Sequence, residues 1–129
     1  MPLGRWVACL FLVAAALPGP AQARQICGKE VVAFDEMVVR IKADPGTEAA
    51  WISPAMMQIV DTKRLLIWTL AKPTGSQPAA YICRRIVQEG GAVTSIMTAE
   101  CHGTQLGCDG IISRILAEQS RATAPFRQR

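Results

Sequence analysis

The feature that most constrains this chain is its apolar N-terminal segment. Arg5 carries a positive charge, and residues 6–17 are apolar and uncharged. Residues 18–20, Pro-Gly-Pro, interrupt any helix there, and Ala21-Gln22-Ala23 has the small-x-small pattern that signal peptidases accept. A membrane-spanning helix needs about 20 consecutive apolar residues, and this stretch is shorter. The pattern therefore favours a cleavable signal peptide over residues 1–23 rather than a membrane anchor.

Cleavage changes the composition of the chain that folds. Removal of 23 of the 129 residues leaves 106, the size of one domain. Arg5 is lost, so 13 basic residues remain against 10 acidic ones, a formal charge of +3 that does not indicate a nucleic-acid partner. The chain contains no asparagine and thus no N-glycosylation acceptor. We expect an exported protein, in the bacterial periplasm or secreted, with no transmembrane segment after cleavage.

Four cysteines remain once Cys9 leaves with the signal. They are Cys27, Cys83, Cys101 and Cys108. Small exported domains use disulfides to compensate for a small core, so we expect two disulfide bonds among them. Four cysteines permit three pairings.

A predicted hairpin turn at Gly90-Gly91 favours some of these disulfide pairings over others. A two-residue loop there places Cys83 opposite Thr98. Cys83 and Cys101 then point to opposite faces of the hairpin, which makes that pair the least favoured. The favoured pairs are Cys27 with Cys83 and Cys101 with Cys108; the pairs Cys27 with Cys101 and Cys83 with Cys108 remain open.

The alternative use of these cysteines is a zinc site completed by His102. No Cys-x-x-Cys is present, and the possible ligands are scattered along the chain. Thioredoxin-like redox chemistry and covalent haem attachment also require Cys-x-x-Cys. We therefore expect no metal and no cofactor.

Hydrophobic periodicity predicts a helix in each half of the chain. Residues 29–42 carry an apolar stripe, although their valines also permit a strand. The stripe consists of Phe34, Met37, Val38 and Ile41. A second helix is predicted after Cys108, with Asp109 as N-cap, fading by Ser120. Its stripe consists of Ile111, Ile112, Ile115 and Leu116. Residues 121–129 are basic and are predicted to be a disordered tail.

The middle of the chain predicts strands. Residues 47–63 are ambiguous, since Ser53-Pro54 can begin a short helix, but a strand over 56–60 followed by a turn at 61–63 is favoured. Residues 64–70 predict a buried strand. Residues 80–88 and 92–100 predict a hairpin with Ile82, Ile86, Val93, Met97 and Ala99 on its core face. The opposite face carries Tyr81, Cys83, Val87 and Ile96 among polar residues, which indicates that something covers part of it.

These elements together predict one domain over residues 24–120. Its class is α+β: an antiparallel meander of three to four strands, flanked by an N-terminal and a C-terminal helix and stapled by disulfides.

The residues for catalysis are sparse. His102 is the single histidine, and no Gly-x-Ser-x-Gly elbow exists. A small hydrolase would need His102 beside a distant group such as Ser53, Ser113 or a carboxylate. We therefore assign no catalytic residue.

Binding is the favoured function. Trp51, Met56 and Met57 can form an adaptable contact surface, while Trp68 is expected in the core. Arg85 can add charge to that surface, or act with the basic tail on an anionic envelope surface. The sequence predicts a non-enzymatic binding or accessory module acting on another exported protein; the hydrolase and the binder of anionic surfaces remain the alternatives.

Overall fold

Seven strands and two helices form the part of the chain that the computed structural model describes, residues 24–127, with side chains for residues 24–120. In chain order they are β1 (Gln25–Ile26), β2 (Lys29–Glu30), α1 (Phe34–Lys42), β3 (Thr47–Ser53), β4 (Met56–Asp61), β5 (Leu66–Ala71), β6 (Ala79–Glu89), β7 (Ala92–His102) and α2 (Gln105–Arg127). The predicted signal peptide, residues 1–23, lies outside the described residues.

Strands β3 to β7 form one antiparallel sheet in chain order. The predicted α+β class and antiparallel meander are confirmed, and so are the strands predicted at 56–60 and 64–70, which are β4 and β5. The sheet has five strands rather than three or four because residues 47–53 form β3 on the outer edge of β4. β1 and β2 make a separate two-stranded ribbon.

The predicted hairpin of β6 and β7 is confirmed. Gly90 and Gly91 have φ values of 56° and 80°, the left-handed geometry that a two-residue hairpin turn requires and that glycine adopts without strain. Cys83 lies opposite Thr98, as the turn predicted. The register runs without a bulge from Glu89 and Ala92 to the far end of both strands.

Helix α1 packs on one face of the sheet. Its buried residues are Phe34, Met37 and Ile41, three members of the predicted stripe. They pack with Trp68 and Tyr81 in the larger of two core clusters, so Trp68 lies in the core as predicted. The helix begins five residues later than predicted, because Lys29–Glu30 pair with β1 instead.

Helix α2 packs on the opposite face. Ile111 and Ile115 are buried against Ala80 and Ile82 in the second core cluster. The sheet therefore lies between the two helices, with a core on each face. This arrangement also confirms that the second face of the hairpin is partly covered, since Tyr81 and Cys83 are buried on the α1 side.

Both predicted ends of α2 were wrong. The Thr104 hydroxyl accepts the N–H of Gly107 at 3.2 Å, so Thr104, rather than Asp109, occupies the N-cap position. The helix continues to Arg127, seven residues beyond Ser120. Residues 128 and 129 of the predicted tail lie outside the described residues.

The part of the hairpin nearer to the Gly90-Gly91 turn does not belong to the core. The predicted core residues Val93 and Met97 are 65% and 46% exposed, whereas Ile82 is buried. Val93 is exposed because β5 accompanies β6 only as far as Arg85, and beyond Arg85 the hairpin projects as a two-stranded ribbon. Met97 lies opposite Arg84, where β5 is still paired, and is exposed because β7 is the edge strand of the sheet.

Candidate functional site

Two disulfides fasten the layers together. Cys27 bonds Cys83, and Cys101 bonds Cys108, which confirms the prediction of disulfides; these are the favoured pairs. Cys83 belongs to the core cluster on the α1 side and Cys101 packs against the cluster on the α2 side, so each face carries one bridge. The sulfurs of all four described cysteines are oxidised and supply neither a thiolate nucleophile nor a metal ligand.

His102 lies at the exposed end of β7. Its ring contacts the Tyr81 ring edge-on, with centroids 5.8 Å apart. Among the described side chains, neither Ser53, Ser113 nor a carboxylate makes a hydrogen bond with His102.

The four residues of the predicted partner surface do not form one patch. Trp51 is 52% exposed on the α1 face, where its ring lies 6.2 Å from that of Phe34. Met57 lies opposite Trp51 and is buried, while Met56 points to the α2 face. Arg85 is exposed on β6, three strands from Trp51.

A cavity of about 640 Å³ lies between α2 and the sheet. Part of its wall is apolar and part is charged. The apolar part includes Ile52, Met56, Ile111 and Ile115, and the charged part consists of Arg84, Arg114 and Glu118. The cavity extends between β3 at one side of the sheet and β6 near the other.

The two arginines of this cavity come from different elements. Side chains alternate along a strand, so Arg84 faces α2 while its neighbour Arg85 faces the other way. The Nε of Arg84 is buried and has no hydrogen-bond partner. Among the described residues, neither Arg84 nor Arg114 makes an ion pair.

Sequence reasoning missed both arginines. The available signal was their position within apolar patterns: Arg84 alternates with Ile82 along β6, and Arg114 follows Ile111 by three residues on α2. A charge in register with buried residues indicates a cation at the border of the core; Arg84 is half-buried there and Arg114 is exposed.

Asp61 is a buried carboxylate with a structural role. It accepts hydrogen bonds from the backbone N–H groups of Lys63 and Arg64, and from the Arg64 guanidinium at 2.9 Å. Burial by itself raises the pKa of Asp61, but these hydrogen bonds outweigh it and hold the pKa below the ordinary value. Asp61 thereby closes the predicted turn between β4 and β5.

Tyr81 is also built into the core. Its hydroxyl donates to the Val32 carbonyl at 2.7 Å. Burial, with a smaller contribution from the charge of Asp35, raises the pKa of Tyr81 to about 12. This phenol is neutral at physiological pH and anchors the segment that leads into α1.

The outer edge of β7 is open. β7 is the last strand of the sheet, and within the described residues no strand pairs with that edge. Val93, Ile96 and Met97 expose apolar surface along it. Residues 92–99 contain neither a charge nor a proline.

Among the helices that the structure describes, none has both the length and the hydropathy that crossing a bilayer requires. Comparisons of the chain with models of known protein families, with curated proteins and with solved structures found no match. The surfaces and side chains described above are therefore the basis for any statement of function.

Proposed function

We propose that this chain is an exported protein that acts by binding an extended segment of another exported protein at the outer edge of β7. The N-terminal segment 1–23 supports export, since it has the pattern of a cleavable signal. The two disulfides support it independently, because such bonds persist in oxidising compartments.

The observation that carries the binding site is the unpaired outer edge of β7 over residues 92–97; towards the other end, Cys27 contacts Thr98 and Arg24 contacts Glu100. This strand is eleven residues long and follows β6 without a bulge. An edge strand presents a row of unpaired N–H and C=O groups, and proteins normally blunt it with charges, prolines, bulges or a covering element. Residues 92–99 contain no charged residue, no proline and no bulge. An added strand can therefore form a regular ladder of main-chain hydrogen bonds.

The side chains around this edge define the partner. Val93 and Met97 lie on the α2 face and Ile96 on the α1 face, and Ile96 is 57% exposed. Because successive side chains of a strand point to opposite faces, apolar groups on both faces fit a segment that carries apolar side chains at consecutive positions. The charge nearest to these groups on β7, Glu100, is paired with Arg24 at 3.4 Å and leaves the apolar part of the strand neutral.

Affinity capture from an envelope fraction tests this function. The bait is the tagged protein, compared with the double variant Val93→Lys/Met97→Lys. Lysine on an edge strand opposes strand addition, and both sites are exposed, so the fold should be retained. The matched control is Val39→Lys, because Val39 is 67% exposed on α1, away from β7.

We expect a stoichiometric partner that the wild type and Val39→Lys retain and that the double variant loses. If all three proteins capture the partner, or if none of them does, the proposed site is contradicted. Light scattering of the purified wild type adds a second criterion: a dimer that the double variant converts to a monomer would show that a second copy occupies the edge, and would overturn the proposal.

A further inference from the structure

The cavity between α2 and the sheet has the size and chemistry of a small-molecule site. Its volume, about 640 Å³, falls within the range of roughly 300–1,000 Å³ typical of ligand pockets. Ile52, Met56 and Ile115 supply apolar wall. The cavity adjoins the β7 edge proposed above, since Arg84 lies opposite Met97, but the inference does not depend on that proposal.

Arg84 gives the cavity a cationic end. It lines the cavity and makes no ion pair with any described residue. A carboxylate beside its guanidinium forms a charge-assisted hydrogen bond, which is stronger than a neutral one.

The wall favours an anionic head group attached to an apolar chain. Arg114 on α2 adds a second guanidinium to that of Arg84. An apolar chain that carries one carboxylate contacts both the arginines and the apolar wall, whereas an inorganic anion would leave the apolar wall unused.

The apolar and cationic ends lie apart. Ile52 belongs to β3 and Arg84 to β6, with β4 and β5 between them. Three strand spacings separate them by about 14 Å across the sheet. An extended alkyl chain of medium length covers this distance.

We propose that this cavity binds a single-chain amphiphile with a carboxylate head, that is, a free fatty acid. The carboxylate is bound by Arg84 and Arg114, and the alkyl chain lies along Ile52 and Met56. The helix α2 forms the roof over the chain and the sheet forms the floor.

Isothermal titration calorimetry of the purified protein, with both disulfides formed, tests the proposal. The probes are decanoate below its micelle concentration, uncharged 1-decanol and inorganic phosphate. The variants are Arg84→Gln, Arg114→Gln and Ala117→Trp, which blocks the cavity from an exposed position of α2. The matched control is Arg85→Gln, since Arg85 is the chain neighbour of Arg84 but points to the opposite face.

We expect Arg84→Gln and Arg114→Gln each to weaken decanoate binding by about tenfold and to leave 1-decanol binding unchanged. Ala117→Trp should weaken both, and Arg85→Gln neither. The proposal is overturned if the wild type does not bind decanoate, if phosphate binds as tightly, or if Arg85→Gln costs as much as Arg84→Gln. If Arg84→Gln does not fold, Arg114→Gln and Ala117→Trp still test the proposal, because both residues are exposed on α2 and their substitution should not prevent folding.

Discussion

The two disulfides close loops of very different length, and their contributions to stability should differ accordingly. Cys27 and Cys83 are 56 positions apart, whereas Cys101 and Cys108 are 7 positions apart. The loop-closure model gives about 4.2 kcal/mol for the long loop and about 2.5 kcal/mol for the short one at 25 °C. The expected difference is therefore about 1.7 kcal/mol.

The contribution of each bridge can be measured separately from the packing that its cysteines provide. The variant Cys101→Ala/Cys108→Ala retains only the long loop, and Cys27→Ala/Cys83→Ala retains only the short one. Urea unfolding of each variant is measured oxidised and again with reductant. The change on reduction within one variant cancels the effect of the alanines, including the loss of packing at the buried Cys83.

Reduction should lower the free energy of unfolding more in the variant that keeps Cys27 and Cys83. Because the long loop restrains more of the unfolded chain, the same reduction should also increase the dependence of that free energy on urea concentration. Equal losses in the two variants, or a larger loss for the short loop, would refute the entropic account of these bridges.

Two buried groups give predictions that depend on pH. Asp61→Asn should lower the free energy of unfolding by about 2 kcal/mol near neutral pH, because the hydrogen bonds from Lys63 and Arg64 lose their charged acceptor. Since the pKa of Asp61 is depressed in the fold, that advantage is present above its ordinary value of 3.8 and is lost as the pH falls below it; a difference between wild type and variant that stays constant in acid would contradict this. Tyr81 is the single tyrosine of the chain, so its phenolate absorbance should titrate near pH 12 in the folded protein, and stability should decline as the pH rises from about 10 towards that value. Tyr81→Phe should cost about 1 kcal/mol through loss of the hydrogen bond to Val32, and a titration midpoint near 10 would show that the phenol is not buried as described.

The parts of the fold that could be predicted are those set by short-range pattern. Gly90-Gly91 determines the hairpin register, and that register disfavours a bond between Cys83 and Cys101. The spacing of Phe34, Met37 and Ile41 indicates the buried face of α1. In each case the deciding interaction lies within about ten residues along the chain or follows from strand alternation.

The parts that could not be predicted depend on which elements meet in space. Glu48, Ala49 and Ala50 favour strands weakly, and their strand forms because β4 offers a pairing edge. The burial of one end of the hairpin and the exposure of Val93 follow from the length of β5, which no local pattern in the hairpin records. The cavity could not be predicted for the same reason, because Arg84 and Arg114 line one cavity only when α2 lies across the sheet.

The connectivity of the two bridges bears on how the protein acquires them. From Arg24 onward, each cysteine is bonded to the next one in the chain: the first to the second, and the third to the fourth. A chain that emerges N-terminus first, into an environment that joins cysteines in order of arrival, forms the native pairs directly. Such a protein can mature with an oxidant alone, because no bond has to be broken and exchanged on the way to the final set.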